Sequence, residues 1–258
     1  MNYFAHGVAF LDRPYVLAGT ATPDWLMVAD RQVRLRARHV EAWLNHPDLS
    51  QTIRQGPIGQ TAQGVLQHLA DDQRFHHTAA FVQLSLHLNQ QVAELLDHHE
   101  PTVSGKVGPS VEIENGKTLS VSPGNSYSAF IGHLLLEVLL DAAMIEEDPA
   151  RLEEYYRVLE KVDVLIVQEA VNRMAARTTQ RLAPMISEFR RLRILWDYLE
   201  DRKLLFRLNQ VMRRVGLAEL PEAFLDLLPQ ARRQVASRKQ ALLAGIPADF
   251  ASSRPETI

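Results

Sequence analysis

The chain has 258 residues, no cysteine and a formal charge of −3, which excludes disulfides and thiolate metal sites. Its hydrophobic fraction of 46% and charged fraction of 23% are those of a globular chain long enough to bury a sizeable core, not of a disordered tail. The opening MNYFAHGVAFLDRPYVLAG lacks the basic start and long apolar stretch of a signal peptide, and no apolar run reaches about 18 residues without a charge, so a membrane span is not expected and the cytoplasm is the expected compartment.

In chain order, residues 3–11 predict a short helix through His6. Thr22-Pro23-Asp24 has the form of a helix start, with Thr at the cap and Pro at the first position. Arg31 to Asn45 predicts an amphipathic helix with Val33, Ala37, Val40, Trp43 and Leu44 on one side and His39 at its edge. Thr61 is a cap candidate for the next helix, and a further helical pattern runs from about Thr78 to His99, continuous with it or kinked near His77. Residues 101–125 change character, and VEIENGKTLSVS around Asn115-Gly116 predicts a short β-hairpin excursion near 110–122, either a flap or a simple excursion. Helical patterns then cover about 126–145, 150–178, 184–215 and 221–244, with Leu152, Tyr155, Tyr156, Leu159, Val162, Ile166 and Ala170 as one stripe. The expectation is an all-α, multi-helix bundle. Residues 1–148 form a metal-binding helical core and 149–258 a helical extension packed on it as one continuous domain.

Two stretches carry candidate chemistry. His68, Asp72 and His76 are spaced four apart, so a helix stacks them on one face. In AFIGHLLLEVLLDAAMI, residues 129–145, the polar side chains are His133, Glu137 and Asp141, again four apart. Carboxylates in such an apolar run need a cation or hydrogen bonds to offset desolvation. Imidazole and carboxylate together are ligands for zinc-like divalent metals. The ordered ligand candidates are His6, Asp24, His39, His68, Asp72, His76, His133 and Glu137. Asp24 or Asp71 is placed to take a proton from an attacking water, Asp141 to act as a cap or to orient a ligand, and Arg74 or Arg38 to neutralise a phosphate. His46, His77, His87, His98 and His99 read as surface residues.

This ordered set resembles the zinc-dependent phospholipase C family and the single-strand-specific zinc nucleases that share its fold, over roughly the first 145 residues. The resemblance implies up to three zinc ions: one on Asp24, His39, His68 and Asp72, one on His76, His133 and Glu137, and one on His6, a shared Asp72 and the chain's own amino terminus. The Asp72–His76 gap is shorter than that family's usual spacing. The opening MNYFAH, the Asp in ATPDWL and the His/Asp-rich helix also resemble the acyl carrier protein phosphodiesterases, which are helical metal-dependent hydrolases. Both resemblances imply a phosphodiesterase using metal-activated water, with zinc (or manganese or iron) in two or three sites and a small-molecule or lipid phosphoester as substrate. The alternative is a helical binding or scaffold protein with a structural metal, or a decayed hydrolase. The first 150 residues are acidic and those from about 150 to 244 are basic. That asymmetry is either a solvated surface or a basic face receiving an anionic substrate; nucleic acid is the less favoured partner.

Overall fold

The computed structural model describes residues 2–99 and 123–244. All regular structure among them is helical. The hairpin expected at 110–122 lies outside the described residues.

The first helix, α1 (Tyr3–Gly7), is short and wholly buried and continues into a 3-10 turn at Val8–Phe10. Next, α2 runs from Pro14 to Ala29, with Pro14 in its first turn. The helix start expected at Thr22-Pro23 is therefore displaced: Pro23 lies inside α2. A proline in a helix interior removes one backbone bond and crowds the carbonyl four residues earlier; here that residue is Gly19, which has no side chain to crowd further. The hydroxyls of Thr20 and Thr22 donate to the Leu17 and Ala18 carbonyls, both at 2.8 Å.

The amphipathic helix expected over 31–45 is shorter, α3 (Ala37–Leu44). Val33 and Leu35 are buried two residues apart while Arg34 and Arg36 face solvent, a period-two pattern that suits the non-helical approach to α3. After the single turn of α4 (Gln51–Gln55), α5 spans Pro57–His76 with Pro57 in its first turn. Thr61 is thus inside α5, not its cap, and its hydroxyl donates to the Pro57 carbonyl at 2.9 Å. Thr78 caps α6 (Ala79–His99), its hydroxyl accepting from the Phe81 amide at 3.1 Å. The pattern running through His77 is therefore two helices with a break between them.

The longest helix is α7 (Pro123–Glu147). Its Tyr127–Glu147 stretch is long and apolar enough to cross a membrane, yet 72% of that window is buried against the rest of the protein. Helices α6 and α1 pack on it, as does α12 (Phe224–Leu243). The single helix expected over 150–178 is two: α8 (Pro149–Glu160), capped by Asp148, and α9 (Val164–Met174), capped by Asp163. The break shifts the buried stripe by one position, so Val167 is buried where Ile166 is only half-buried. Likewise 184–215 divides into α10 (Leu182–Leu192), a 3-10 segment Ile194–Leu199 and α11 (Asp201–Val215), with Arg193 in the left-handed region at φ 49° between the first two. Gly216, at φ 77°, ends α11.

One apolar core runs through residues from Tyr3 to Leu242 and includes side chains from both the N-terminal and the C-terminal helices. The α2–α5 crossing is its tightest joint. A Cβ on Gly64 would lie 2.1 Å from the Val16 carbonyl oxygen, and one on Gly19 would lie 2.3 Å from that of Thr61. The two backbones touch there, which leaves the C-terminal half of α2, with Asp24, beside the His68–His76 face of α5.

Candidate metal centre

Four elements supply the site. His6 comes from α1, Asp24 from α2, His68, Asp71, Asp72 and His76 from α5, and His133 and Glu137 from α7. The carboxylate of Asp141, one turn beyond Glu137, accepts from the Phe4 amide at 2.9 Å and the Ala5 amide at 2.8 Å. These are amides of the first turn of α1, which has no cap from its own sequence. Asp141 therefore caps α1 across more than 130 residues of chain and fixes the helix that carries His6. Burial pushes its carboxyl up to about 7 despite the two amide bonds.

Two groups of side chains can each hold a metal ion. The first is His6, His68 and Asp72, and the second is His76, His133 and Glu137; within each group the ligand atoms lie within 4.8 Å of one another. The groups are adjacent, because Asp72 Oδ2 lies 3.4 Å from His76 Nδ1. In the second group, His76 Nε2 and His133 Nε2 both lie 3.0 Å from the same oxygen, Oε1 of Glu137. Burial raises the Glu137 carboxyl, but the positive charge of the amino terminus together with the imidazoles of His133 and His76 more than reverses this and holds it well below the usual carboxylate range. For His76, burial lowers the pKa while the bond to Glu137 and the charge of Asp72 raise it; the net shift is upward.

The first group differs in kind. His6 is fully buried, and neither of its ring nitrogens makes a hydrogen bond; Asp71 Oδ2 is 3.9 Å from Nδ1, beyond bonding distance. His68 packs against it with ring centroids 4.4 Å apart, and its Nδ1 is also buried without a hydrogen bond. Burial and the neighbouring His6 drive the His68 pKa well below its ordinary value, so it is neutral. Two imidazoles with orphaned nitrogens facing a carboxylate are poor packing for a metal-free core, since such groups are normally satisfied. They fit a divalent cation, for which neutral imidazole and carboxylate are the donors.

The remaining candidates divide. Asp24 is half-buried with Oδ2 sealed from solvent, and burial raises its pKa, with the charges of Glu137 and Asp72 adding to the rise. It feels the charges of the centre but belongs to neither group. Asp71 is fully buried and held by the Gln67 side-chain amide, which donates at 2.9 Å to both oxygens. Asp71 sits behind His6, with Arg74 4.0 Å away on the surface side. His39 lies half-buried on α3 and belongs to neither group. Arg38 is exposed on the same helix.

Sequence reasoning missed two contributors, Gln67 and Phe81. Gln67 was visible as the i, i+4 partner of Asp71. Phe75 and Phe81 form an aromatic wall, with Phe81 centroids 4.6 Å from His76 and 5.1 Å from His133, a contact that no spacing signals because it joins three helices. Exposure is graded across the centre. The first group is buried apart from Asp72, whereas the side chains of Asp72, His76 and His133 are 28%, 26% and 40% accessible. The open side of the centre is therefore the second group. No family model, curated protein or solved structure matches the chain.

Proposed function

We propose that the chain is a metal-dependent hydrolase of phosphate esters, acting on a phosphodiester with two divalent ions, zinc foremost. The observation that carries this reading is the junction at Asp72, which belongs to one ligand group and touches a histidine of the other. His6, His68 and Asp72 would hold one ion and His76, His133 and Glu137 the second, with Asp72 placed between them. When bound, such a pair lowers the pKa of water toward neutrality and offsets the negative charge of a phosphoryl group.

The protein's own groups supply the rest. Asp24, whose carboxyl burial makes more basic than usual, accepts the proton of the attacking water. Asp71 and Asp141 are positioning residues: the first stands behind the His6 ring and the second anchors the helix that carries it. Phe75 and Phe81 limit water at the His76–His133 side. Arg74, 54% accessible and only loosely paired with Asp71, is free to swing toward a phosphate oxygen.

The burial of His6 and His68 favours a second reading in which the inner group holds a structural ion in a closed site and the protein binds a partner without chemistry. One experiment separates the two. Metal content after mild purification and hydrolysis of bis-p-nitrophenyl phosphate are measured for the wild type, His68→Ala and His133→Ala. The hydrolase reading expects bound metal and turnover in the wild type, and a fall in turnover of at least 100-fold in each variant, in the range that loss of a metal or a key electrostatic group produces. Metal without turnover of any phosphoester supports the structural reading, and metal-free wild type overturns both.

A further inference from the structure

A cavity of about 140 Å³ lies away from the ligand groups, between the start of α1, the end of α2, the middle of α7, α10, the 3-10 segment Ile194–Leu199 and α11. Its wall is made by side chains such as Val138, Met185, Phe189, Leu204, Leu208 and Val211. An apolar space of about 150 Å³ is large enough to take a benzene-sized guest. The charges at its rim are uneven. Arg207 is neutralised by Asp197 at 2.7 Å, and Glu188 by Arg191 at 2.6 Å. Arg214 is exposed, donates only to the Val28 carbonyl at 3.1 Å, and has no carboxylate partner among the described residues. Among the described residues, Arg214 therefore places an unpaired positive charge beside an apolar pocket.

We propose that this cavity binds a medium-chain carboxylate, with its hydrocarbon chain among Val138, Leu204 and Leu208 and its carboxylate on Arg214. The volume holds roughly six carbons of chain, by comparison with the benzene-binding void. Arg214, without a carboxylate partner among the described residues, selects a monoanionic head over a neutral or cationic one. The cavity shares no lining residue with either ligand group, so the site is independent of the hydrolase reading.

The test is calorimetric titration of full-length protein, both metal-loaded and chelated, with octanoate, octanol, octyltrimethylammonium and acetate. Octanoate is expected to bind in both metal states, octanol more weakly, and the other two not measurably. Arg214→Gln should weaken octanoate about tenfold and leave octanol unchanged, the loss expected for a charge-assisted hydrogen bond. Val211→Trp, which fills the mouth, should abolish binding of both. Magnetisation transfer from the octanoate methyl to the Val138 and Leu208 methyls in the wild type gives a reading that does not depend on any variant folding. Absence of that transfer, equal affinity for octyltrimethylammonium, or undiminished octanoate binding by a folded Val211→Trp protein overturns the proposal.

Discussion

Replacing Gly64 with Ala is expected to destabilise the protein and to loosen its metal site together. The added Cβ would stand 2.1 Å from the Val16 carbonyl oxygen, 2.8 Å from Gly19 Cα and 2.9 Å from the Thr20 amide nitrogen. Ordinary contact begins near 3.4 Å, so α2 and α5 must part by more than about 1 Å. The obstacle is backbone, which cannot swing aside as a side chain can. Overpacking of this kind costs about 3 kcal/mol at the upper end, and the helix propensity gained on going from Gly to Ala returns about 1 kcal/mol. The expected net loss is about 2 kcal/mol, read as a lower urea midpoint at unchanged slope. Because α1, which carries His6, packs on α2 while His68 and Asp72 ride on α5, the same separation spreads the inner donors, and metal affinity should fall at least tenfold. Gly216→Ala is the control. It sits at φ 77° with nothing within 4 Å, so it should cost about 1 kcal/mol of backbone strain and leave metal content untouched. A Gly64→Ala protein as stable and as well loaded as the wild type would refute the backbone contact between α2 and α5.

Asp141→Asn should cost about 1–3 kcal/mol, because an amide offers one acceptor oxygen to two buried amide donors and α1 loses part of its cap. It should also change the pH profile. Burial raises the Asp141 carboxyl from its ordinary 3.8 to about 7, so the folded protein binds that proton more tightly than the unfolded chain, and wild-type stability falls as pH rises through that window. Denaturant melts at intervals from pH 4 to 7.5 should show this part of the slope missing in the variant; parallel profiles would remove Asp141 as its source. His39→Ala should retain full metal, whereas His6→Ala or His68→Ala should lose the inner ion, since His39 belongs to neither ligand group; elemental analysis of the purified variants decides, and loss of metal from His39→Ala would restore it as a ligand. Adding zinc to chelated protein should raise the melting temperature, with a stabilisation of about 4 kcal/mol at a free concentration 1,000 times the dissociation constant; a melting curve insensitive to zinc would leave the orphaned nitrogens of His6 and His68 without their proposed occupant.

Helical content and the two polar faces, His68–Asp72–His76 and His133–Glu137, follow from local spacing, because four-residue periodicity acts within one helix and needs no tertiary information. Helix boundaries were less legible. Pro23 reads locally as a start, yet it sits inside α2, where the carbonyl it crowds belongs to Gly19, a residue without a side chain. Thr61 reads as a cap, yet Pro57 had already begun the helix, and a hydroxyl can turn back onto the preceding turn as easily as it can cap the next.

Which histidines meet is a property of the packing alone. His6 and His68 are more than 60 residues apart in the chain and stack because the touching glycines of α2 and α5, and the reach of Asp141 from α7 to α1, bring four helices to one point. The same packing leaves His39 outside both groups, although its spacing fits the ligand series as well as that of any other member. Periodicity tells a side chain which face of its own helix it occupies. The distance between faces is set by how closely two backbones can approach, and that depends on residues such as Gly19 and Gly64 that carry no chemistry of their own.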